Sequence, residues 1–185
     1  MSVVESAPSF KSVSETPGGG ASPEALNMLR TRYHYAGELV QGKDAAEVAC
    51  AMGMGLGYLL KRARSFQAGD IDPEMISAAN AHYRGRIEVR PMDAQELPFE
   101  NASLDVLLML EAIYFLPEAG KFLDEAKRVL RQGGALMIAS PNPQYESFNP
   151  APKSTKYFAP DEMKAEFEKR GFGAELLIGF PEDHS

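Results

Sequence analysis

The chain has 185 residues, enough for one domain with a sizeable core and too few for two ordinary ones. Its 26 acids against 19 bases leave a formal charge of -7, without the clustered Lys and Arg that phosphate neutralisation requires, which argues against a general nucleic-acid binder. The single cysteine, Cys50, cannot close an internal disulfide, and no apolar run approaches the ~20 residues of a membrane span, so the expectation is a cytoplasmic protein with no membrane span.

In chain order, residues 1–21 are rich in Ser, Pro and Gly and end in "TPGGGA", which predicts a flexible tail ahead of one domain at 22–185. Ser22 then reads as an N-cap with Pro23 at the first helical position, opening a helix over "SPEALNMLRTRYHYAGELV". The following segments alternate. "AEVAC" reads as a strand, "GYLLKRARSF" as a helix, "QAGDI" as a strand, "DPEMISAANAHY" as a helix and "RIEVR" as a strand. Further on come strand "LDVLLML", helix "PEAGKFLDEAKRVLRQGG", strand "ALMIAS", helix "PDEMKAEFEKRGFG" and strand "AELLIGF". Strands alternating with helices of this length imply right-handed crossovers, hence an α/β, doubly wound, mostly parallel sheet with helices on both faces. Ligands of such sheets sit beyond the carboxyl ends of the strands, at the topological switch point. Only one candidate strand follows the last helix, so the expectation is six strands, or a sheet edge occupied by a partner chain, as in a homodimer.

Gly53, Gly55 and Gly57 follow the first strand and open a helix, a place where backbone can approach a ligand closely. The dinucleotide fingerprint G-x-G-x-x-G fails, because counting from Gly53 puts Tyr58 at the third glycine. The phosphate loop G-x-x-x-x-G-K-[ST] is absent, so nucleoside triphosphate hydrolysis has no support. His34, His82 and His184 lack metal-ligand spacing and Cys50 has no metal partners, so no metal site is expected. No G-x-S-x-G elbow exists for a serine nucleophile.

Glu47 stands four residues before Ala51 in the arrangement E-x-x-x-A-x-G-x-G. Together with "AGDIDPEMISAA", "MDAQELPF", and "LDVLLML" followed by "L-R-x-G-G", this resembles the class I S-adenosylmethionine-dependent methyltransferases (the methyltransferase type 11-like domain) from residue 43 to about 180. The sequence departs from the family at Ala51, where a glycine is usual. If that position needs a positive φ, alanine costs about 1–2 kcal/mol there. The resemblance implies a Rossmann-like fold and S-adenosylmethionine as cofactor, with S-adenosylhomocysteine as product. It implies cofactor contacts from Glu47, Ala49, Ala51, Gly53 and Gly55 on the first loop. Asp70 would accept from the ribose hydroxyls, with Ile71 and Met75 nearby. Asp93 and the backbone of Ala94 would read the adenine edge, and Leu110 would lie at the end of the fourth strand. The cofactor carries no phosphate, so carboxylates and backbone groups suit it better than a lysine cradle. Asp72, before Pro73, reads as a helix N-cap rather than a ligand residue.

Methyl transfer from a sulfonium is an in-line displacement that the enzyme aligns and, where needed, assists by removing a proton. Glu111 at the end of the fourth strand is a candidate base or a holder of the cofactor's aminoacid end; Tyr114 could lean over the methyl, and His34 on the first helix is a second candidate base. Arg32, Tyr33 and Tyr35 share that helix, which in similar proteins folds over the cofactor. The long segment 140–160 offers Tyr145, Asn149, Lys153, Ser154, Thr155 and Lys156, polar groups suited to a hydroxylated small-molecule acceptor such as a sugar or glycan-pathway intermediate. The alternatives are an NAD(P)-dependent oxidoreductase and a non-catalytic S-adenosylmethionine-binding module.

Overall fold

The computed structural model describes residues 22–179; the predicted tail, His184 and the last residue of the predicted final strand lie outside them. Helix α1 (Pro23–Leu39) begins as its sequence demands, with the Ser22 hydroxyl accepting from the Ala25 N–H at 3.2 Å and Pro23 in the first turn. It leads into β1 (Asp44–Val48), α2 (Leu56–Leu60), β2 (Ser65–Asp70), α3 (Pro73–Tyr83) and β3 (Val89–Pro91). The second half carries β4 (Leu104–Leu110), a 3-10 turn (Ile113–Phe115), α4 (Ala119–Val129), β5 (Leu130–Ala139) and α5 (Pro160–Lys169).

All pairings are parallel, in the order β3-β2-β1-β4-β5. The chain builds outward from β1 in one direction and then returns to β1's other side with β4, so the switch point lies between β1 and β4. Side-chain alternation assigns the two faces. Ala45, Val106 and Leu108 pack with Ala36, Val40 and Leu59 of the α1 side, whereas Ala46, Val48, Leu107 and Met109 pack with Phe122, Leu123 and Ala126 of α4. Glu47 has the parity of Ala45 and therefore faces α1.

Three expected elements are corrected. The helix predicted over 57–66 ends at Leu60, and Ser65 and Phe66 join β2. The helix predicted over 117–134 ends at Val129, and "LRQGG" belongs to β5 as an irregularity in the pairing with β4. Arg131 there ion-pairs with Asp105 at 2.7 Å and Asp44 at 3.0 Å. Finally, the sheet has five strands among the described residues, not six. Residues 174–179 form no strand, and Leu176, Leu177 and Ile178 stand exposed. With these apolar side chains exposed, the run gains little burial to offset the entropy of ordering a strand.

Candidate active site

The loop after β1 carries the strain of the fold. Ala49, Ala51 and Gly53 have φ of 56°, 48° and 74°. Left-handed backbone therefore alternates at 49, 51 and 53, four residues earlier than the run of glycines at 53, 55 and 57 indicates, and two of the three positions are alanine. Each alanine costs about 1–2 kcal/mol relative to a relaxed conformation. Gly55, by contrast, has a φ of -109° and is needed for space, since a β-carbon there would collide with the Tyr33 ring. Tyr83, at the end of α3, clamps the loop from beneath, donating to the Gly53 carbonyl at 2.5 Å and accepting from the Gly57 N–H at 3.1 Å.

Three carboxylates stand at or just beyond the ends of β2 and β3. Asp70, 6% exposed, accepts from the Ala51 N–H at 2.7 Å through Oδ2 and from the Asp72 N–H at 2.9 Å through Oδ1, tying the strained loop to the end of β2. Burial is the main cause that raises its pKa, and the two N–H bonds oppose it. Asp72 is the N-cap of α3, accepting from Glu74 N–H at 2.8 Å. Asp93 closes a turn through the Gln95 N–H at 2.8 Å, with Ala94 buried next to it.

Glu47 is the most costly group. It is 1% exposed, Oε1 accepts from the Tyr33 hydroxyl at 2.8 Å, and Oε2 has no hydrogen-bond partner among the described residues. Burial pushes its pKa up to about 8, against the pull of Tyr33 and the Arg32 charge. It makes no bond to the glycine loop; α1 holds it instead.

Glu111, at the end of β4, has a φ of 57°. Arg32 of α1 reaches its Oε1 at 3.1 Å, and the Tyr114 hydroxyl donates to its Oε2 at 3.3 Å. Burial first, then the Glu111 charge, raises the Tyr114 pKa, so its hydroxyl remains a donor rather than a base. Tyr114 is held in turn from segment 140–160. Its carbonyl accepts from the Thr155 N–H at 2.7 Å and the Thr155 hydroxyl at 3.0 Å, and its ring stacks on Tyr157 at 4.4 Å.

The remaining predicted residues scatter. Ile71 is 42% exposed beside Asp70, as a ligand-facing side chain requires, but Met75 is 1% exposed and belongs to the interior. Leu110 is buried at the foot of Glu111. His34 is exposed and meets the Tyr58 hydroxyl at 3.1 Å. Tyr145 is exposed, Lys156 pairs with Glu162 at 3.4 Å, and of the predicted polar set Thr155 and the Lys156 N–H bond to the Tyr114 carbonyl of the 3-10 turn. Sequence reasoning missed Tyr83 and Tyr157, whose partners Gly53, Gly57 and Tyr114 lie 26 or more residues away in the chain. Among the described residues no group of three His, Cys, Asp or Glu could hold a metal, and no helix is long and apolar enough to cross a membrane.

A parallel five-stranded sheet with a strained loop and carboxylates at its strand ends defines the Rossmann-like class I methyltransferase fold. The chain belongs to the methyltransferase domain family, which matches residues 46–138. It is 30% identical over 144 residues to a probable S-adenosylmethionine-dependent methyltransferase of Mycolicibacterium smegmatis, covering 75% of this chain and 55% of that one. A fatty-acid O-methyltransferase of the same species is 33% identical over 110 residues, 58% of this chain and 40% of that one. A SAM-dependent methyltransferase of Aquifex aeolicus superposes with a TM-score of 0.70 at 21% identity, over 86% of this chain and 88% of that one. The chain spans about half the length of the curated relatives it matches.

Proposed function

We propose that the protein binds S-adenosylmethionine and transfers its methyl group to a small-molecule acceptor of lipid character. The observation that carries this reading is the buried Oε2 of Glu47, unpartnered beside a left-handed loop. Glu47 holds its proton in the free protein and would ionise against a cation, and the cofactor's aminoacid end supplies an ammonium group. In this reading Asp70 accepts from the ribose hydroxyls, and Asp93 and Ile71 meet the adenine. The dinucleotide fingerprint fails at Tyr58, which disfavours the oxidoreductase alternative. When bound, the cofactor supplies an activated methyl on a sulfonium.

This chain's residues then align the acceptor and exclude water. Glu111 is engaged by Arg32 and Tyr114, and the Tyr114 hydroxyl stays protonated. The reading therefore favours an acceptor that is already a nucleophile, such as a carboxylate, over a sugar hydroxyl that would need a base. Similarity to a fatty-acid O-methyltransferase supports the same replacement of the sugar expectation.

Calorimetric titration tests the cofactor half. S-adenosylhomocysteine is expected to bind while NAD does not, and Asp70→Ala is expected to weaken binding by more than about tenfold, having lost a charged acceptor. Binding of NAD alone would reverse the assignment. For the acceptor, labelled methyl is expected on fatty acids and not on sugars; the opposite distribution would overturn the lipid reading.

A further inference from the structure

Tyr157 lies on the acceptor side and touches none of the three strand-end carboxylates, yet it begins a continuous run of contacts into the cofactor side. Its hydroxyl accepts from the Ala151 N–H at 2.9 Å, and Phe148 meets its ring edge-on at 4.7 Å, so segment 148–157 is fixed around it. Its ring lies nearly parallel to Tyr114, 18° between planes. Thr155, two residues earlier, grips the Tyr114 and Leu116 carbonyls, the latter at 2.7 Å. Tyr114 then donates to one oxygen of Glu111, and the other oxygen of Glu111 holds Arg32 of α1. The next residue on that helix, Tyr33, covers Gly55 and binds Glu47.

Glu111 is the hinge of this chain, because its two oxygens face different parts of the molecule. One takes the acceptor segment's signal through Tyr114, the other anchors the helix above the cofactor loop. Its left-handed backbone, unusual for a side chain of that size, holds the carboxylate in this bridging position. We propose that Tyr157 is a positioning residue that fixes Tyr114 and, through Glu111 and Arg32, keeps α1 closed over the bound cofactor. An acceptor that reorders segment 148–157 would thereby alter cofactor retention. This inference rests on the reading of the loop as a cofactor site.

The test is the dissociation rate of S-adenosylhomocysteine by stopped flow, together with amide exchange of α1, on the full chain. Tyr157→Ala is expected to raise the dissociation rate roughly three- to tenfold, the scale of one aromatic pair, and to speed exchange in α1. Tyr157→Phe keeps the stack and is expected to remain within about twofold of the parent. In an Arg32→Ala background, Tyr157→Ala is expected to add less than about twofold, since the link is already cut. Tyr157→Leu, which keeps apolar volume, replaces the alanine variant if that one melts early. An unchanged or slower dissociation rate in Tyr157→Ala, or effects that simply multiply with Arg32→Ala, would overturn the coupling. Failure of the parent protein to bind S-adenosylhomocysteine would instead sink the cofactor reading.

Discussion

The two ends of the sheet are built on opposite principles. At the amino ends of the strands, Asp44 and Asp105 are saturated with cations: Arg64 bonds Asp44 at 2.9 and 2.5 Å, Arg131 bridges both acids, and Ser65 donates to Asp44 at 2.7 Å. These bonds, Arg64's foremost, hold the Asp44 carboxyl below its ordinary range, and the Asp44 N–H bonded to Asp105 does most to lower the latter. At the carboxyl ends, Glu47 and Asp70 are buried and their pKa values rise, one carboxylate oxygen lacks a partner, and non-glycine residues occupy left-handed backbone. One end is electrostatically settled. The other stores unfavourable energy of the kind that collects where ligands bind.

Three measurements sharpen or break this contrast. The largest effect belongs to Glu47. Burial raises its folded-state pKa to about 8 from an ordinary 4.5, so the folded chain retains a proton that the unfolded chain has released. Its contribution to stability is thus full below about pH 4.5 and is lost as pH rises through about 8. Urea unfolding of the cofactor-free protein between those limits is expected to show stability falling with pH, and Glu47→Gln is expected to flatten the slope. A slope that survives the substitution would mean that the strain lies elsewhere.

A smaller gain is expected at the loop. Ala51→Gly relieves the left-handed penalty but adds unfolded-chain entropy, leaving about 0.5–1 kcal/mol of net stabilisation and a melting point higher by about 1–4 °C. A lower melting point would show that the loop is not strained. The smallest effect lies at the settled end. Arg64 is 59% exposed, and Arg64→Ala is expected to leave the melting midpoint within its reproducibility in 0.5–1 M salt, because exposed pairs are screened. A large loss there would erase the contrast between the ends.

Much of the scaffold was legible beforehand. The Ser22-Pro23 and Asp72-Pro73 caps and the strand LDVLLML stand where local chemistry put them. The glycine loop was legible in kind and in part in register: the missing family glycine flagged Ala51, whereas the left-handed conformation of Ala49 is revealed by backbone angles alone. The final strand failed because an apolar run states a preference for burial without stating whether a partner layer exists. Among site residues, the acids were visible as acids, whereas the pairing of Tyr33 with Glu47 and of Arg32 with Glu111 was not, nor the hold of Tyr83 on the loop and of Tyr157 on Tyr114, because helix and loop placement brings these groups together.

The sequence by itself determined the alternation of strands and helices, and with it the parallel sheet, the family, and the presence of carboxylates at strand ends. These follow from interactions within a few residues, capping and periodic burial, which the chain carries locally. Tertiary structure alone decided which acid is starved of partners and which is tied to backbone, and how the acceptor segment reaches α1 through Glu111. Those outcomes depend on desolvation and on contacts between groups far apart in the chain, and no short stretch of residues encodes either.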